Sequence, residues 1–98
     1  MERIYTNNGQ GISTKIDCLK NGKKYIISTA QDPRGPWQLA IFQILFDIPH
    51  IYGKVDQANP YVGPISETFK EAEILHQKVE KIVSEQLPET WLITMHSW

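Results

Sequence analysis

Ile12-Ser13-Thr14-Lys15-Ile16-Asp17-Cys18-Leu19-Lys20, Asn21-Gly22, Lys23-Lys24-Tyr25-Ile26-Ile27-Ser28-Thr29-Ala30 is the stretch that decides the fold. Two alternating segments joined by Asn-Gly read as a β-hairpin, because that dipeptide supplies the positive φ angles a two-residue turn requires. Such a loop pairs Lys20 with Lys23, and therefore Cys18 with Tyr25, Ile16 with Ile27 and Thr14 with Thr29. That face is largely apolar. The other pairs Leu19 with Lys24, Asp17 with Ile26 and Lys15 with Ser28, the composition of a half-solvated sheet face.

Downstream, Gln31-Asp32-Pro33-Arg34-Gly35-Pro36 is a turn segment, since each proline turns its predecessor away from helix and Gly35 accommodates a positive φ. The segment 37–46 that follows is apolar on both alternating faces. A buried helix is the competing reading, but Gln38 and Gln43 would fall about 140° apart on its wheel and form no polar face. A central strand buried on both sides is preferred. Residues 47–65 carry Pro49, Gly53, Pro60, Gly63 and Pro64, which reads as a long loop with at most a short strand around Tyr61 and Val62. Upstream, residues 6–11 are polar and glycine-containing and read as a surface lead.

Thr68-Phe69-Lys70-Glu71 is a capping box and predicts a helix over 69–86. Phe69, Ala72, Leu75, Val79, Ile82 and Val83 form its apolar stripe, and Pro88 ends it. His76 falls about 60° from the stripe's centre, so its ring is expected at the helix–sheet border with one nitrogen bonded to a neighbour. Residues 91–97 read as a last strand. The expected fold is therefore a single α+β domain over 1–98. A small antiparallel sheet, made of the N-terminal hairpin, the central strand and the C-terminal strand, packs against one helix.

The order Ile12-Ser13-Thr14, hairpin, Trp37-Gln38-Leu39-Ala40-Ile41-Phe42, loop, then Thr68-x-x-Glu71-Ala72 with His76 four residues on resembles small uncharacterised bacterial and phage proteins. Those show an aromatic-Glu-Thr-Met-Val-Phe strand and a helix opening Thr-x-x-Glu-Ala followed by Gly-His. This chain departs from them at Gln38, at Leu39-Ala40 and at Leu75. The resemblance spans about residues 12–83, supports the strand at 37–46 and implies no function.

Composition narrows the function classes. With 98 residues, 41% of them apolar, and a net charge of −1, the chain can bury a core, and a pI near 6.3 argues against a nucleic-acid footprint. The charge is asymmetric: residues 1–54 carry +3 and residues 55–98 carry −4. The mainly apolar run 37–48 is shorter than the roughly 20 residues that span a bilayer. One cysteine, Cys18, and no secretory pattern in the first residues lead to the expectation of a cytoplasmic protein.

No reactive constellation is spelled out. His50, beside Asp47 and Tyr52, is the one candidate for acid–base catalysis, and Arg34, His50, Tyr52 and Tyr61 are the candidates to line a small-molecule pocket on the 47–65 loop. No metal-ligand spacing or cofactor motif is present, so neither is expected. Cys18 belongs to the apolar hairpin face and reads as core. Lys20, Lys23 and Lys24 beside Tyr25 give the hairpin tip a weak nucleic-acid reading, against which such lysines also discourage edge pairing. Trp37, Tyr52, Tyr61, Trp91 and Trp98 are many large aromatics for one small domain. One helix cannot cover both faces of the sheet. The preferred reading is a non-catalytic interaction or assembly module that forms a homodimer or holds another protein. A small enzyme or small-molecule binder built on the loop is the alternative.

Overall fold

A computed structural model describes residues 2–5, 11–33, 35–48 and 51–97. Among them the chain forms β1 (Glu2–Tyr5), β2 (Gly11–Asp17), β3 (Lys24–Gln31), β4 (Trp37–Ile48), β5 (Ile51–Val55), β6 (Tyr61–Ser66), α1 (Phe69–Glu85) and α2 (Pro88–His96). The strands make one antiparallel sheet in the order β1-β2-β3-β4-β5, with β6 also paired to β4. The architecture is α+β as expected, with a larger sheet and a second helix.

The hairpin β2–β3 is present, but its register differs from the two-residue expectation. Ile16 faces Tyr25, Thr14 faces Ile27 and Ile12 faces Thr29. The loop is longer because Gly22 N–H bonds Cys18 O at 2.9 Å, leaving Leu19 to Gly22 as a four-residue turn with Gly22 at positive φ, 73°. Asn21 Oδ1 accepts the Lys23 N–H, and Leu19 N–H reaches Ser84 O on α1. A slip of two residues preserves which face each side chain takes, so the buried set is the same in both registers.

Two further expectations are corrected. Residues 47–65 are mostly strand, because Gly53, Gly63 and Pro64 sit in β5 and β6 at the sheet's margins, where a missing side chain or N–H is tolerated. Residues 91–97 are not a strand: Pro88 both stops α1 and opens α2, its fixed φ suiting a first helical turn. Trp91 and Met95, four apart, then share a buried face.

Both helices lie on one face of the sheet. Ile16, Tyr25, Ile27, Leu39 and Ile41 meet Val79, Ile82 and Val83 of α1 and Trp91 and Met95 of α2 in one core. Thr68 caps α1 by accepting Glu71 N–H at 3.2 Å, and the Glu71 carboxylate reaches back to Glu67 N–H. The Trp91 ring stands edge-on to Tyr25 and Tyr61, with centroids 4.7 and 4.9 Å away. No helix among the described residues is long and apolar enough to cross a membrane.

Candidate functional site

Two features stand out on this scaffold: a polar chain inside the core and the sheet face that no helix covers. The polar chain begins with His76, which is not at the helix border but fully buried, both ring nitrogens bonded across the sheet. Its Nδ1 lies 2.7 Å from Thr29 Oγ1 on β3 and its Nε2 lies 2.7 Å from Thr14 Oγ1 on β2. Thr14 donates its single hydroxyl hydrogen to Glu80 Oε2 at 2.6 Å. It must therefore accept from His76, which puts the imidazole proton on Nε2 and leaves Nδ1 to accept from Thr29. Arg3 of β1 closes the chain with a forked pair of bonds to the Glu80 carboxylate, its Nε at 2.8 Å from Oε2 and its Nη2 on Oε1.

The electrostatics follow from burial. Desolvation pushes the His76 imidazole down to about 4, against the pull of Glu80 and with a smaller push from Arg3, so the ring is neutral at pH 7. Burial alone would raise Glu80, but bonds from Arg3 and Thr14 and the Arg3 charge outweigh it and hold the carboxylate below its ordinary value. Glu80 is 4% exposed and His76 is 0% exposed, so no substrate reaches the ring. This chain of bonds ties β1, β2 and β3 to α1. Sequence reasoning missed Arg3 and Glu80; Glu80 had a signal, its place one turn after His76 beside the apolar stripe and opposite threonines on the hairpin's buried face, and Arg3 had none.

The second feature is the outer face. Ile4, Ala40, Phe42, Val62 and Ile65 point away from the helices, by their registers with Ser13, Val62, Ile26, Ala40 and Gln38 respectively. Ile4, Val62 and Ile65 are 51%, 46% and 60% exposed. Beyond Ile44 the register of β4 slips, and the β4–β5 arm bends over this face. The bend is fixed where Asp47 meets Lys15 of β2 and lies 4.0 Å from Lys24 of β3. Under the arm is a cavity of about 390 Å³ lined by Ile26, Ser28, Phe42, Val55 and Gln57. On the arm itself Phe46 is 63% exposed and Leu45 53%.

Of the residues singled out by sequence, Arg34 and His50 lie outside the described residues, as does Trp98. Tyr52 pairs through its backbone with Asp47 in the arm. Tyr61 is turned to the helix side, against Trp91, away from the outer cavity. Trp37 and Trp91 are core, Trp37 packing on Phe69. Tyr25, the aromatic of the weak nucleic-acid reading, is 2% exposed and bonded by Asn21, and Lys24 is paired with Asp17. Cys18 is core, as expected. Among the described residues no group of three or more His, Cys, Asp or Glu side chains is placed to hold a metal ion. Comparison with family models, curated proteins and solved structures finds no match to this chain.

Proposed function

We propose that this chain is a non-catalytic interaction module that associates with a second copy of itself through the outer face of its sheet. One observation carries the reading: both helices pack on the same side, and the other side presents Ile4, Phe42, Val62 and Ile65 with no helix over them. Val62 and Ile65 on β6 adjoin Ala40 and the half-buried Phe42 of β4, while Ile4 stands apart across Ser13 and Ser28, and exposed apolar surface of this kind marks association sites. The abundant aromatics do not carry it, since Trp37, Tyr25 and Trp91 are spent on the core. Sedimentation velocity from micromolar to millimolar protein tests the reading. A concentration-dependent dimer that Ile65→Lys together with Val62→Lys abolishes is expected. A monomer throughout the range removes it.

The cavity beneath the β4–β5 arm supports a second reading, a small-molecule binder. Its volume is in the range of ligand pockets, and Val55 and Gln57 of the 47–65 segment form one side of it. Thermal unfolding against a panel of metabolites separates the two, because a ligand stabilises at fixed protein concentration whereas self-association makes the midpoint depend on it.

A further inference from the structure

We infer that the cavity under the β4–β5 arm takes an uncharged ligand of one or two rings that carries a hydrogen-bonding group at one end. The inference rests on the small-molecule reading and names the chemical class of the ligand. An apolar cavity on the order of 150 Å³ already takes up benzene, and this one, at about 390 Å³, has room for a ring or a fused pair. Its apolar surface comes from Ile26 of β3, Phe42 of β4 and Val55 of β5. Register brings the three to one face: Ile26 pairs with Phe42, and Val55 pairs with Ile44, two residues along β4 from Phe42. Ile26 is 4% exposed and makes the floor, whereas Gln57 is exposed and stands at the mouth.

Charge is absent from the wall. None of the five lining residues, Ile26, Ser28, Phe42, Val55 and Gln57, is ionisable. Lys15, the cross-strand neighbour of Ile26 on the same face, has its ammonium on Asp47. The Asp56 carboxylate, between Val55 and Gln57 in sequence, is turned to its own loop, where it accepts from Ala58 N–H and the Asn59 amide. An ion entering the cavity gives up water and meets no free counter-charge in the wall, so a neutral molecule is favoured. Two polar groups are nevertheless present. The Ser28 hydroxyl and the Gln57 amide have no hydrogen-bond partner among the described residues and reach water instead. Each can both donate and accept. A hydrocarbon covering them would strand them, whereas a ligand with its own donor and acceptor replaces the water they lose.

The test is a titration of the full-length chain with naphthamide, followed by backbone-amide NMR shifts, beside naphthoate and naphthylmethylammonium, which keep the rings and change the charge. Naphthamide is expected to shift the signals of Ser28, Phe42, Val55 and Gln57 and to bind about tenfold or more tightly than either ion. Ser28→Ala and Gln57→Leu, each folded by circular dichroism, are expected to weaken naphthamide about 3- to 10-fold, the effect of one neutral hydrogen bond. Val55→Trp fills the cavity from the arm and abolishes binding, and if that variant fails to fold the two polar variants still decide. Ions that bind as tightly as naphthamide, or polar variants that leave its affinity unchanged, overturn the ligand class and spare the small-molecule reading. Saturable shifts confined to other residues, undiminished binding to a folded Val55→Trp, or no saturable shift with any of the three probes overturns both.

Discussion

The His76 imidazole stands 3.7 Å from the Glu80 carboxylate, one helical turn along α1, and is nevertheless uncharged at neutral pH. An anion at that distance favours the charged ring, but removing the ring from water opposes it more strongly. The outcome is a neutral side chain whose bonds are directional: Thr29 to Nδ1, Nε2 to Thr14, Thr14 to Glu80.

This arrangement makes the fold acid-sensitive in a defined window. In the unfolded chain His76 takes up its proton near 6.5, whereas in the fold it does so only near 4. Between those values the unfolded state binds more protons, so stability is fully present above about pH 6.5 and falls as pH drops toward 4. The loss amounts to about 3 kcal/mol from this group. Glu80, whose folded value is depressed, adds a loss of the same sign at lower pH. Urea unfolding at pH values from about 7 to about 4.5 should show the decline in wild type and a shallower one in His76→Gln. Equal slopes in the two proteins would contradict the assignment.

Arg3 anchors β1 to α1 through Glu80. β1 leaves Ile4 and Tyr5 half-exposed, so apart from the ladder with β2 its attachment rests on Arg3 to Glu80 and on Tyr5 Oη donating to Glu73 at 3.0 Å. Arg3→Met strands a buried carboxylate. Because the arginine is itself 30% exposed, the expected loss is about 2 kcal/mol, below that of a fully buried pair. In a Glu80→Gln background the same substitution should do far less. Chemical denaturation of the four proteins in that cycle measures the coupling, and a coupling near zero would show that Arg3 merely covers the site.

How far the sequence reveals this molecule depends on what each residue's neighbours are. The hairpin, β4 and α1 are legible because their signals are local: alternation, an apolar run after Pro36, and the Thr68–Glu71 cap. The hairpin's register is not, since Asn21-Gly22 suits both a two-residue and a four-residue turn, and the contact that favours the longer one, Leu19 to Ser84, is distant in sequence. α2 is hidden because Trp91, Ile93 and Thr94 favour strands and its exposed Leu92 and Ile93 blur any helical stripe. Arg3 is hidden for a related reason: nothing near it announces that a buried glutamate lies 77 residues away. Arg34 and His50 show the opposite limit, residue types suited to chemistry whose surroundings the sequence does not define.

Gly63 should not tolerate a side chain. A Cβ there would stand 2.9 Å from Leu39 Cδ2 and 3.5 Å from Met95 Sδ, and Leu39 is buried against β6 and α2 with little room to turn. Gly63→Ala is expected to destabilise by about 1–2 kcal/mol through overpacking. Leu39→Val removes the obstructing methyl, so the double variant should lose less than the two single losses added together. Additive losses in thermal unfolding would place the strain elsewhere.

Trp91 tests whether α2 is an integral layer of the fold. Its indole is fully buried, wedged edge-on between Tyr25 of β3 and Tyr61 of β6, with Nε1–H donating to Gln86 O at 3.0 Å in the joint between the helices. The same carbonyl accepts the Cys18 thiol, so one backbone group links the hairpin end, the α1 terminus and α2. Trp91→Ala empties this junction and should destabilise by about 4 kcal/mol, enough to unfold a marginal domain. Trp91→Phe keeps an aromatic edge between the two tyrosines but drops the indole bond and part of the volume, and should fall at about 2 kcal/mol. Urea midpoints by circular dichroism rank the variants. If Trp91→Ala costs less than about 1 kcal/mol, α2 is an appendage and not a wall of the core.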